Sequence, residues 1–433
     1  MTKSHRAQRG SARTKLPERT QVEMQLLSLD QWLDADHRVR IVWQYVDSLD
    51  LSELYVSIKA TEGNVGRDAI DPRILFALWL FATLEGVTSA RRIADLTERD
   101  IPYMWICGGV SVNYHRLSDF RVDHGELLEQ ILIDSIAVLI HNDLITLSTV
   151  GQDGMRVRAS AGSGSFRRQD SLAEARQKAQ AHVEQLKAAE DDLSANNRRC
   201  AAAKQRAARE KLARIEQAQS EMEDMQRKYR QRAGEKRSEP RASTTDPEAR
   251  RTKMADGGTR PAMNVQFATD GDAQMIVAVE VTSQGSDSGL MGPMYKKIRR
   301  DYGPTPGKYL VDGGFTHRDD VTTLEADGTQ VYAPLYQEKK QLEQGRNPYT
   351  GKPGDSAEMA AFRTRMGTPE AKEIYKRRAA IAEFPNADCR NRGLTQFRVR
   401  GLLKAKAQTL WHVLAFNFSR MLRLDYLEVL MTS

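Results

Sequence analysis

The chain has little of what secreted or membrane proteins depend on. Its 433 residues hold three cysteines, Cys107, Cys200 and Cys389, with no CxxC pair and no closely spaced histidine. That argues against a disulfide framework or a zinc module and leads us to expect a reduced, intracellular protein. No apolar run reaches the roughly 18 to 20 residues needed to span a bilayer. The longest, ILFALWLFATL from Ile74 to Leu84, is about half that and suits a buried helix. The opening segment, MTKSHRAQRGSARTKLPERT, is basic and polar with no apolar core, unlike a secretory signal. A large charge excess is also missing: 65 Lys and Arg against 58 Asp and Glu leave +7. So modest a surplus fits a polyanionic partner only if the basic residues are concentrated.

What is present is enough for globular cores, with 40% hydrophobic residues in a length that accommodates two or three domains. Residues 1–25 carry six basic side chains in their first 19 positions against Glu18 alone, and read as a flexible basic arm. Between Leu26 and Leu147 apolar residues recur at helical spacing, broken by turn signals at Asp71–Arg73 and Gly108–Val112. This predicts an all-helical domain over 26–143. Within it, Ser89 is a candidate N-cap ahead of Arg91 and Arg92, and a short helix starting Ser-x-Arg-Arg suits a DNA backbone. The same arginines also fit an ordinary solvated face. In NYHRLSDFRVDHGELL, Asn113, His115, Arg116 and Arg121 are candidates to face a groove, and no metal is expected at His115 or His124.

From Leu144 the pattern changes to alternating and β-branched residues, predicting a strand, a turn at Asp153–Gly154 and a second strand. Residues 161–259 then hold an Ala/Glu/Gln/Lys/Arg-rich stretch with two apolar stripes, Leu172 to Leu193 and Leu212 to Tyr229, separated near Ser194–Asn197. That predicts a charged helical hairpin, followed by a basic, turn-rich linker. AMNVQFATD and QMIVAVEVTS predict a β-hairpin around Gly271–Asp272, with Asp270 serving its turn. DSGLMGPMYKKIRRDYG predicts a helix capped by Asp287, KYLVDGG a buried strand ending near Asp312, and TPEAKEIYKRRAAIAEF a long helix carrying Glu383. The order is that of an α/β domain interrupted by a mainly helical insert. Should Asp153, Asp312 and Glu383 converge, their carboxylates could hold two Mg²⁺ ions about 3.5 to 4 Å apart, as in-line attack on a phosphodiester requires.

These segments resemble the DDE transposases of bacterial insertion sequences. The resemblance runs from about Arg38 to Arg423 through AIDPRILFALWLFATLEGVTSARRIADLTERDIPYMWICGG, NYHRLSDFR, TTDPEAR and GGTRPAMNVQFATD. Its most specific part is a Tyr, Arg, Glu, Lys signature on the last catalytic helix, met here by Tyr375, Arg378, Glu383 and, where lysine is usual, Arg390. The resemblance implies an α/β ribonuclease H-like catalytic domain, formed by 144–160 plus 260–433, with an all-α N-terminal domain and a long helical, coiled-coil-like insertion. It implies Asp153, Asp312 and Glu383 as catalytic ligands of Mg²⁺, with Mn²⁺ as a substitute. Double-stranded DNA would be the partner, met by Arg91, Arg92, Arg116, Arg121, Tyr375, Arg378, Arg390, Arg398 and Arg400. The implied activity is binding of terminal inverted repeats, cleavage at the ends and transfer of 3′-hydroxyls to target DNA by a homodimer or higher oligomer. No membrane partner or small-molecule substrate is expected, and the setting would be the bacterial cytoplasm at the nucleoid. The alternative is a catalytically inactive, transposase-derived DNA-binding protein.

Overall fold

The computed structural model describes residues 20, 26–56, 58–60, 68–188, 195–231 and 239–432. The basic arm apart from Thr20, Leu193, Ser194 and the first part of the linker lie outside the described residues.

Helix formation in the N-terminal region follows its local signals. Asp71 accepts the Arg73 backbone N–H and Pro72 opens the helix Pro72–Leu84, which is buried on every side from Ile74 onward. A helix apolar all round must lie inside the protein, and this one packs against a second such helix, Leu402–Arg423, from the far end of the chain. Phe76 meets the Trp411 ring at 4.9 Å, and Tyr45 meets Phe418 at 5.3 Å. Both buried indoles find acceptors: Trp79 donates to the Leu117 carbonyl and Trp411 to that of Arg121. One hydrophobic core therefore runs from Leu33 through the sheet to Leu427.

The strands are β1 (Thr149–Arg158), β2 (Phe166–Arg167), β3 (Ala242–Ser243), β4 (Arg250–Lys253), β5 (Thr259–Asp270), β6 (Ile276–Thr282), β7 (Lys308–Leu310) and β8 (Gln330–Tyr332). β2 and β3 pair by themselves, and the main sheet runs β4-β5-β1-β7-β8, with β6 also on β5. β1, β5 and β6 are antiparallel, whereas β1, β7 and β8 are parallel and need helical crossovers, Met291–Tyr302 and Arg318–Ala326. The hairpin at Gly271–Asp272 forms as expected, and Asp270 accepts the backbone N–H groups of Asp272 and Ala273. The expected turn at Asp153–Gly154 does not form. β1 is one continuous strand, because both glycines in it serve close packing rather than chain reversal: a Cβ at Gly151 would stand 2.7 Å from Ile381 Cγ2, and one at Gly154 would stand 2.2 Å from Gln266 Nε2.

Between β2 and β3 the helices Gln169–Ala188 and Ala195–Gln231 lie antiparallel, with contacts Gln169 to Gln226, Arg176 to Glu216 and Leu186 to Gln205. Leu172, Ala218 and Met222 form a small core of their own with Ala242.

Candidate active site

β1 sits in the middle of the sheet, so its alternating side chains meet different layers. Gln152, Gly154 and Arg156 face a buried polar network. There Asp287 accepts from Asn264 and Gln266, each at 2.8 Å, and from Arg156 at 2.9 Å, while Gln152 links Gln266 to Tyr309. Asp287 is thus no helix cap; the helix Met291–Tyr302 starts beyond Leu290. Neither the network nor the need for two glycines was read from the sequence, although glycine inside a β-branched strand already signals close approach.

Gly151 and Asp153 face the other way, toward the segment after Tyr375. Parallel pairing sets Gly151 opposite Leu310, the last residue of β7, and Asp312 follows two residues later. Adjacent strands stand about 4.8 Å apart. Asp312 leaves the end of β7 in a tight turn in which its Oδ1 accepts the Gly314 N–H at 2.7 Å. Glu383 comes from the opposite side. The helix expected over TPEAKEIYKRRAAIAEF is really three pieces, an α-helix Pro369–Lys376, a π-turn Ala379–Glu383 and an α-helix Phe384–Asn391. Pro385 accounts for the break, since it has no N–H for the Ile381 carbonyl and its ring would crowd that group. The wide turn presses Ile381 and Ala382 onto Gly151.

Burial pushes the Asp153 carboxyl up to about 6, the Gly154 N–H and Arg378 pull it down, and Asp312 and Glu383 push it up again. Asp312 and Glu383 therefore each lie within electrostatic reach of Asp153. Asp153 Oδ1 accepts the Gly154 N–H at 2.9 Å and its Oδ2 accepts Asn386 Nδ2 at 2.8 Å. Glu383 is half-exposed and accepts Arg378 Nη2 at 2.6 Å, while Arg378 Nη1 is buried without a partner among the described residues. Tyr375 is half-buried beside them, its hydroxyl pushed up by burial and pulled down by Arg378. With Glu383 turned to Arg378, no group of three His, Cys, Asp or Glu among the described residues stands close enough to ligate one ion. The donor set still suits a hard divalent cation, being carboxylate oxygen alone around a site with surplus negative charge.

The arginines divide. Arg121 is 6% exposed, stacks over Trp79 and donates to the Thr88 carbonyl, and burial with Arg398 nearby lowers it to about 10. The side chain expected to face a groove is thus drawn into the core beside Trp79. Arg378 is largely buried against Glu383. Arg91, Arg92, Arg116, Arg390, Arg398 and Arg400 are exposed. Arg91 lies over the Tyr114 ring, Arg92 pairs with Asp95, and Arg398 donates to Thr88 Oγ1, joining the turn before Arg91 to the segment after Arg390. Asn113 caps its own helix through the Arg116 N–H, and Ser89 occupies a cap position without a side-chain bond.

The sheet is mixed, carries Asp153 on its central strand and is flanked by a helical N-terminal region. Residues 27–123 match the family model described as Transposase domain (DUF772), and residues 240–418 match Transposase DDE domain. The two matches together support a DDE transposase of insertion-sequence type. Asp312 and Glu383 fall inside the second match, and Asp153 falls between the two. Neither the curated proteins nor the solved structures yield a match. Enzymes of this family generally use divalent cations, and no described helix is long and apolar enough to cross a membrane.

Proposed function

We propose that the protein binds the terminal inverted repeats of its mobile element, cleaves the DNA ends by metal-dependent hydrolysis and transfers the 3′-hydroxyls to target DNA in one active site. The observation that carries this reading is the Asp153 carboxylate on the central strand, held by the Gly154 N–H and by Asn386 from the helix that follows Glu383, in a chain whose residues 240–418 match Transposase DDE domain. Asp153, Asp312 and Glu383 are the residues that would hold Mg²⁺, or Mn²⁺ in its place. When bound, the cations supply an activated water or hydroxyl and offset charge on the leaving oxygen. Glu383 joins the aspartates when Arg378 exchanges it for a DNA phosphate, to which a guanidinium can donate two bonds. Tyr375 lines the same approach.

Arg91, Arg92, Arg116, Arg390, Arg398 and Arg400 form the DNA-facing surface, helped by the basic arm, residues 1–25. In this scheme 26–143 is the end-binding domain, 144–160 plus 260–433 the catalytic domain, and 161–259 the hairpin insertion and linker through which a homodimer or higher oligomer assembles at the nucleoid. The test is incubation of purified protein with labelled duplexes from the DNA flanking its gene, with Mg²⁺ and with EDTA, beside Asp312→Asn. We expect metal-dependent nicking at the element end that the substitution abolishes while binding persists. Binding without nicking under any divalent cation would favour the catalytically inactive alternative.

A further inference from the structure

One buried side chain at the site is explained neither by the fold nor by the three acids. Asn386 lies one turn beyond Glu383 on the helix Phe384–Asn391 and is 4% exposed. Its Nδ2 donates to Asp153 Oδ2 at 2.8 Å, and its Oδ1 is buried with no hydrogen-bond partner among the described residues. A buried carbonyl without a donor weakens a fold, so the Oδ1 of this amide is not there for stability. The carboxylate that Asn386 holds is the one on the central strand, and its other oxygen is already fixed by the Gly154 N–H at 2.9 Å.

We infer that Asn386 is a positioning residue for the cutting reaction. It locks the Asp153 carboxylate in one orientation, ties the helix carrying Glu383 to the strand carrying Asp153, and keeps Oδ1 open as an acceptor for a donor that arrives with the cation or the DNA. The inference rests on the functional reading above. Partners that orient metal-binding carboxylates are commonly worth 10–100-fold in affinity or activity.

The test uses the full chain with Asn386→Leu, which keeps the size and removes the amide, and Asn386→Ala, which cannot overpack should leucine fail to fold. Thermal unfolding, Mn²⁺ binding followed by electron paramagnetic resonance without DNA, and nicking of the flanking duplex are measured on each. We expect Mn²⁺ affinity and nicking to drop by about 10–100-fold in both variants, with duplex binding unchanged and the unfolding temperature of Asn386→Leu lowered by no more than the loss of one hydrogen bond entails. A purely structural asparagine would shift the unfolding temperature and leave Mn²⁺ affinity alone, and that result overturns the inference. Variants that match an active, Mn²⁺-binding parent overturn the inference alone. A parent that neither binds Mn²⁺ nor nicks overturns the functional reading as well.

Discussion

At the scale of single residues, the Asp153 carboxyl is held at the expense of stability. It is raised from 3.8 to about 6 in the fold, chiefly by burial. A folded-state value above the unfolded one means the fold is favoured by protonation: stability is greatest below the unfolded value and declines as pH rises through about 6. Two units correspond to roughly 3 kcal/mol at most. Asp153→Asn in EDTA is therefore expected to unfold at a higher temperature than the parent at pH 8, with the gain shrinking to nothing near pH 4. Scanning calorimetry across that range checks it, and an equal gain at both ends would contradict the assignment. Gly151 makes the complementary point. Valine there would drive its Cβ into Ile381, 2.7 Å away, at a cost of about 1–3 kcal/mol. Gly151→Val should lose nicking while duplex binding, followed by gel shift, survives.

Among the elements, the helix Leu402–Arg423 does most to join the molecule. It packs on the N-terminal helices and on β6, where Asn417 exchanges hydrogen bonds with both backbone groups of Ile276. Its N-terminus is capped from a distant segment: Gly401 donates to Asp246 and Leu402 to Glu248, both in the TTDPEAR stretch. That is a physical use for a stretch named in the sequence only among the segments that carry the resemblance. Glu248→Ala should lower unfolding stability by about 1 kcal/mol in urea titration, as loss of a helix cap does. The π-turn before Glu383 was not legible, because helical periodicity ran unbroken through AAIAEF. Pro385 was its one local sign, and proline in the first turn of a helix reads equally well as an ordinary start.

For the whole molecule, Arg398 in the segment after Glu383 donates to Thr88, in the turn before Arg91 of the N-terminal helices. Contacts to phosphate weaken binding uniformly when lost and flatten its salt dependence. Arg398→Ala is expected to reduce duplex affinity across sequences and to lower the slope of log affinity against log salt by about one. Fluorescence anisotropy between low and moderate salt measures it, and an unchanged slope would remove Arg398 from the interface. Arg121→Ala should instead act on stability, because its guanidinium lies over Trp79 inside the core.

The sequence by itself determined the periodicities, and with them the helical N-terminal region, the β5–β6 hairpin, the later strands and the three acids worth naming. Those are local properties, set by spacing, turn chemistry and propensity within a few residues. Tertiary structure alone decided that β1 runs straight through Asp153–Gly154, that Arg121 turns inward, that Glu383 pairs with Arg378 and that Asn386 grips Asp153. Most of these depend on a partner far away in the chain, 233 residues in the case of Asn386 and Asp153, while the Glu383–Arg378 pair, five residues apart, depends on how the turn between them winds. Burial, hydrogen-bond supply and close approach at such sites are set by which surfaces meet, and no short stretch of sequence records that.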